Sequence, residues 1–235
     1  MKTDLVIFDL AGTTVKDNND VPRILQRTLA KFDTYITLDE AIDVMGISKP
    51  VAIQKLLEKY NDDLITITSD GIDAIHKVFV EDMIDFYKND ASIGEKDGVS
   101  GTFEILRKNN IKVAVDTGFD RQITDVLLER LRWKKDKLID FSITSDEVLR
   151  GRPFPDMIFK ALEHFSINDP ACVAKVGDTP VDLQEGSAAG CGLVIGVTSG
   201  AFPREVLELE KHTHLISAIP EILPILNLKQ EHQLA

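Results

Sequence analysis

The 235-residue chain predicts an α/β fold: a parallel sheet with helices on both faces, and an α-helical domain inserted after the first strand. Three observations point there. Short, wholly apolar runs recur in place of alternating ones, as expected of strands buried on both faces. Helix-period segments separate the later runs, the rhythm of a parallel sheet. Between the first run and the second, residues 15–97 show recurring helical patterns and no convincing strand alternation.

The first strand is Leu5–Phe8, inside the stretch "VIFDLAGTT". In the insertion, "VPRILQRTLAKF" carries apolar residues at helical spacing. "TLDEAIDVMG" opens with a capping box, Thr37 to Glu40, and closes on Gly46. "KPVAIQKLLEKY" has Pro50 at a first helical position, with Lys49 held extended before it. "GIDAIHKVFVEDMIDFYKND" is a longer amphipathic helix. Four more strands follow at Lys112–Val115, Phe141–Thr144, Cys172–Val176 and Leu193–Val197. Helices are expected near Phe119–Leu131, Pro155–Phe165 and Pro180–Ala189, and the tail "LKQEHQLA" reads as a polar, frayed end. The division is therefore residues 1–14 and 98–235 as one unit, with 15–97 as the other.

A formal charge of −12, with no basic block to offset it, argues against a nucleic-acid partner. An anionic small substrate stays compatible if the site brings its own cations. No apolar stretch approaches the roughly 18 residues of a membrane span. Asp4 and Asp9 interrupt the N-terminal apolar run, so it does not read as a signal peptide. Cys172 and Cys191 read as buried thiols in a reducing compartment, and a cytoplasmic location is expected.

In an open parallel sheet, ligands bind outside the carboxyl ends of the strands. The first strand ends on Asp9. "VDTGFDR" ends the second with Asp116, Thr117 and Gly118, and "KVGDTPVD" ends the fourth with Asp178 and Asp182. Parallel strands bring these residues to one edge. Clustered carboxylates raise one another's pKa unless a cation joins them, and a hard divalent ion, Mg²⁺ above all, meets that need and attracts phosphate. A blander reading has Asp182 capping a helix and Asp116 solvated. With a metal in place Asp9 can attack phosphorus, Thr117 can donate to a phosphoryl oxygen, and Arg152 in "LRGRPFPDM" can complete the charge clamp.

Asp9 in "DLAGTT", Thr117, Arg152 and "GDTPVD" resemble, in order, the four motifs of the haloacid dehalogenase superfamily. The resemblance covers essentially the whole chain. It implies a Rossmann-like catalytic core over 1–14 and 98–235, a cap domain over 15–97, and an Mg²⁺-bound aspartate nucleophile. By the same resemblance Asp9, Asp178 and the Ala11 carbonyl hold the metal, Asp182 supports the site, and Gly12, Thr13 and Gly118 lie against the substrate.

Ala11 narrows the reading. Most phosphatases of the superfamily carry a second aspartate two residues after the nucleophile, to protonate the leaving oxygen and later activate water. Such a group is worth about 10²–10⁴-fold in rate. Its absence is tolerable only for a leaving group that needs no such proton. The phosphonatase branch, the phosphonoacetaldehyde hydrolases, reads Asp-x-Ala-Gly-Thr at this place. "GRPFP" resembles its Gly-Arg-Pro-x-Pro, and "KVGDTPVDLQEGSAAG" resembles its fourth motif.

That branch uses a cap lysine that forms a Schiff base with the substrate aldehyde, and "MGISKP" puts Lys49 in the matching place. A helix N-terminus there disfavours the cation and should lower the amine's pKa. Three positions depart from the branch: Ala52 where it has histidine, Phe119 where it has tyrosine, and Asp156 where a tryptophan is common. The expected function is Mg²⁺-dependent cleavage of the C–P bond of a carbonyl phosphonate through a Lys49 Schiff base and an aspartyl-phosphate. Two alternatives stay open: a phosphatase for acyl phosphates or phosphoanhydrides, and a catalytically inactive phosphate-binding protein. The partner is a small phosphonate or phosphate, and the resemblance suggests a cap-mediated homodimer.

Overall fold

The computed structural model describes residues 2–60 and 67–229. In chain order the elements are β1 (Leu5–Phe8), α1 (Asp20–Ala30), α2 (Leu38–Asp43), α3 (Lys49–Tyr60) and α4 (Ser69–Asn89). Next come α5 (Val99–Lys108), β2 (Lys112–Thr117), α6 (Arg121–Arg130), β3 (Phe141–Thr144), α7 (Asp156–Phe165), β4 (Val173–Gly177) and α8 (Pro180–Ala189). β5 (Leu193–Val197), α9 (Arg204–Leu207), β6 (His214–Ile216) and α10 (Ile222–Ile225) complete the described chain. The six strands form one parallel sheet in the order β3-β2-β1-β4-β5-β6, the Rossmann-like α/β arrangement expected.

The apolar runs are strands buried on both faces. Every residue of β1 is fully buried, and its side chains alternate between two cores. Leu5 and Ile7 meet Ile158 and Leu162 of α7 on one face. Val6 and Phe8 join Phe103, Leu106 and Leu127 on the other, in a cluster continuous with Leu25, Ile53, Phe79 and Met83 of the inserted helices. Phe8 pairs with Val115 of β2 and Val176 of β4. That register brings Asp9, Asp116 and Gly177 level at the carboxyl edge, where the strand order reverses on either side of β1 and a crevice opens.

The insertion enters and leaves through paired connections. Lys16 N donates to Gly94 O at 3.0 Å and Lys96 N to Thr14 O at 2.9 Å. Thr37 and Glu40 form the expected capping box on α2. One expectation is corrected: Lys49 is the first residue of α3, with Pro50 second, and Ala52 N already donates to Ser48 O at 3.0 Å. Proline is tolerated there because N–H groups of the first turn have no intrahelical acceptor.

β6 is an addition to the five strands expected. Its three residues are too few for a periodic signal, and only Ile216 is buried. Cys172 and Cys191 are free thiols, but half-buried rather than buried, because they stand in turns flanking β4 and α8. Among the described residues no helix is long and apolar enough to cross a membrane. The tail from Gln230 onward lies outside the described residues.

Candidate active site

The turn after β1 builds the first wall. The backbone N–H groups of Thr13, Thr14 and Val15 all donate to Leu10 O, at 3.2, 2.9 and 2.8 Å. Gly12 sits at φ +85°, and a Cβ there would lie 2.3 Å from Asp178 Oδ2, so both conformation and space require glycine. Thr13 Oγ1 donates to Asp178 Oδ1 at 2.6 Å, and Ala201 N donates to Asp178 Oδ2 at 2.6 Å. Lys96 Nζ ties the turn to Ser199, donating to Gly12 O and, at 3.0 Å, to Ser199 O.

Arg152 organises the second wall. Its guanidinium is fully buried and every nitrogen is engaged: Nη1 with Asp9 Oδ1 at 2.8 Å and Asp182 Oδ1 at 3.1 Å, Nη2 with Asp116, and Nε with Glu185 Oε2 at 2.9 Å. The contact with Asp9 puts the arginine expected to complete the charge clamp beside the carboxylate at the end of β1. Its other contacts are to Asp116, Asp182 and Glu185.

Asp116 is fully buried, which corrects the solvated reading. Burial opposes its charge, but Arg152 and Lys175 outweigh burial and hold the carboxyl below its ordinary value. Asp182 does cap α8, through a reciprocal box with Thr179, and also faces Arg152 and Lys175.

Lys175 and Glu185 were not anticipated. Lys175 Nζ contacts Asp116, Asp182 at 3.0 Å and Glu185 at 3.4 Å, all without exposure. Burial, then Asp116, pushes Glu185 up to about 8, against the pull of Lys175 and Arg152. The signal available was a lone lysine inside an apolar run, "VAKVG". The structural room for it comes from Gly186, where a Cβ would lie 2.8 Å from Lys175 Cβ.

Two sets of acidic side chains bring oxygens within 4.8 Å: Asp116, Asp182 and Glu185, and Asp9, Asp178 and Asp182. The first has its own cations. In the second, burial pushes Asp9 up to about 7 and, with Asp182, Asp178 up to about 6. Asp9 Oδ2 accepts no hydrogen bond among the described residues, and Asp178 is met only by a hydroxyl and an amide at hydrogen-bond distance. Asp182 has both oxygens engaged elsewhere. An under-compensated, all-oxygen pair fits a hard divalent cation.

A small cavity of about 30 Å³ connects these parts, lined in part by Asp9, Ala11, Asp17, Lys49, Thr117 and Gly118. Thr117 Oγ1 accepts from Phe119 N at 3.2 Å, which leaves its hydroxyl hydrogen free to donate. The inserted helices close the cavity: a Cβ on Gly118 would lie 2.6 Å from Ile47 O and 2.8 Å from Gly46 O.

Lys49 reaches the cavity from α3 and is 2% exposed. Its Nζ donates to Ile47 O at a long 3.4 Å and lies 5.9 and 5.3 Å from the ring centroids of Phe79 and Phe119. No carboxylate pairs with it among the described residues. Burial is the main cause that brings its pKa down to about 8, with Asp9 and Asp120 opposing. Ala52, one turn on, is fully buried beneath it. Asp156 opens α7 and pairs with Arg150 at 2.9 Å.

The family model described as haloacid dehalogenase-like hydrolase matches residues 6–197. The phosphonoacetaldehyde hydrolase of Hahella chejuensis is 31% identical over 229 residues, covering 94% of this chain and 76% of that protein. That of Bacillus cereus (strain G9842) is 30% identical, with 88% and 82% covered. Among solved structures, a phosphonoacetaldehyde hydrolase-like protein from Oleispira antarctica superposes with TM-score 0.83 at 19% identity, over 97% of this chain and 92% of that one. CbbY from Rhodobacter sphaeroides, in complex with phosphate, gives TM-score 0.79 at 18% identity, over 96% and 100%.

Proposed function

The chain belongs to the haloacid dehalogenase-like hydrolases, in their phosphonatase-like branch, and from that premise we propose that it hydrolyses the C–P bond of a carbonyl phosphonate such as phosphonoacetaldehyde. The observation that carries this reading is Lys49: a buried amine with a lowered pKa and, among the described residues, no carboxylate partner, in one small cavity with Asp9. A lysine that only bound anionic substrate would gain nothing from losing its charge. One that must attack a carbonyl needs the free amine.

Lys49 Nζ condenses with the aldehyde, expelling water and leaving an iminium conjugated to the C–P bond. Asp9 Oδ2 attacks phosphorus while Oδ1 stays on Arg152. The C–P electron pair moves into the iminium, giving an enamine on Lys49 and an aspartyl-phosphate on Asp9. Protonation at carbon and hydrolysis of the imine release the aldehyde, and water releases phosphate from Asp9. Thr117 donates to a phosphoryl oxygen. In this reading Gly12, Thr13 and Gly118 lie against the bound substrate. Asp9, the Ala11 carbonyl and Asp178 would hold Mg²⁺, which when bound neutralises charge on the phosphoryl oxygens.

Ala11 agrees with this chemistry, because a carbon leaving group stabilised as an enamine needs no proton on a departing oxygen. It agrees equally with a phosphatase for acyl phosphates or phosphoanhydrides, in which Lys49 only binds substrate. Lys49→Arg separates the two. With Mg²⁺ and phosphonoacetaldehyde, this variant should release no phosphate while still binding vanadate. Retained phosphate release would favour the phosphatase.

A further inference from the structure

We propose that Asp17 is the proton carrier for the imine chemistry of Lys49, an inference that rests on the reading above. Three side chains lining the cavity are ionisable: Asp9, Lys49 and Asp17. In the proposed reaction Asp9 is taken up by phosphorus and Lys49 by the carbonyl carbon. The rest of the wall is apolar, backbone, or the Thr117 hydroxyl. Imine formation still has to move protons onto and off oxygen and nitrogen, and Ala11, Ala52 and Phe119 cannot do it.

Asp17 is built for position. It stands in the connection from β1 to α1, half-buried, with Oδ1 accepting from Asp20 N at 2.6 Å and Val21 N at 3.3 Å. These two contacts fix the carboxyl group at the head of α1. No hydrogen bond among the described residues engages Oδ2. The charged and titratable groups facing it are Asp20 on its own turn, Lys49 from α3, Tyr87 from α4 and Lys96 from the returning connection. Burial raises its pKa above the ordinary carboxylate value, with the two N–H donors opposing.

The steps balance as follows. The Lys49 lone pair forms the C–N bond, the carbonyl π pair moves to oxygen, and that oxygen takes the Asp17 proton. The new ammonium returns a proton to the Asp17 carboxylate. Asp17 then protonates the carbinolamine hydroxyl, which leaves as water with the C–O pair, while the nitrogen lone pair forms the iminium. The remaining carboxylate faces the iminium charge.

The test is the rate of borohydride-trapped adduct on Lys49 in the Mg²⁺-loaded protein with phosphonoacetaldehyde, followed from pH 5 to 9. Wild-type trapping should pass through a maximum, since dehydration needs the acid form of Asp17 and attack needs the free amine. Asp17→Asn keeps the Oδ1 acceptor for Asp20 and Val21. It should slow trapping and turnover by about 10²–10⁴-fold, lose the fall at high pH, and bind vanadate as wild type does. Asp17→Ala should regain rate with added formate, which a purely structural role would not allow. Wild-type trapping rate and pH profile in Asp17→Asn, or no formate rescue of Asp17→Ala, would overturn the Asp17 inference alone. Wild-type turnover without any adduct would overturn the imine reading and this inference with it.

Discussion

Lys49 shows what one buried amine costs the fold. Its folded-state pKa is about 8 against an ordinary 10.5. A base depressed on folding destabilises fully below the folded value, and the penalty fades as pH rises from about 8 to 10.5. Lys49→Met should therefore stabilise the protein by about 1–3 kcal/mol at pH 7, at 1.36 kcal/mol per pKa unit, with the gain shrinking toward pH 10. Urea midpoints at both pH values measure it, and an unchanged or lower midpoint at pH 7 would contradict the burial account. At Ala11 the prediction runs through rate. Ala11→Asp should raise hydrolysis of alkyl phosphate esters by up to about 10²–10⁴-fold, and efficient wild-type turnover of a sugar phosphate would contradict the argument. Asp9, Thr117, Arg152 and Asp178 were legible because strand ends and a proline-flanked turn mark them. Asp17 was not, because "KDNND" has the composition of any solvated loop.

Among elements, β4 and α8 carry the least legible part of the site. An apolar strand with one lysine and a helix with one glutamate are both ordinary in sequence, and only their juxtaposition makes a buried network. Lys175→Met leaves Asp116 and Asp182 dependent on Arg152 alone, so it should cost about 3–5 kcal/mol. Burial raises the Glu185 pKa and favours the neutral acid, so Glu185→Gln should change stability by less than about 1 kcal/mol. Denaturant unfolding of the pair checks both, and equal losses would mean Glu185 is ionised. The strands of the sheet's centre were readable from continuous apolar runs, and α8 from its Thr-Pro start. β6 was too short to read, and α3 began one residue early because Lys49 itself belongs to the first turn.

On the scale of the molecule, the inserted helices complete the site. The loop at Gly46 and Ile47 rests on Gly118 at the end of β2, with no room between for a methyl group. Gly118 does not need a positive φ, so Gly118→Ala should leave the sheet intact yet hold the two parts apart. A displacement of this size should lower kcat/KM by about 10²-fold with an unchanged circular dichroism spectrum. A full-rate variant would mean that the contact is not needed for turnover. The claim on which the whole account turns is the imine at Lys49, and borohydride trapping with phosphonoacetaldehyde, Mg²⁺ and peptide mapping tests it most directly. The account predicts a single adduct on Lys49, absent in Lys49→Arg, whose turnover is lost with it. Phosphate release with no adduct, or an adduct on another lysine with Lys49 unmodified, would contradict it.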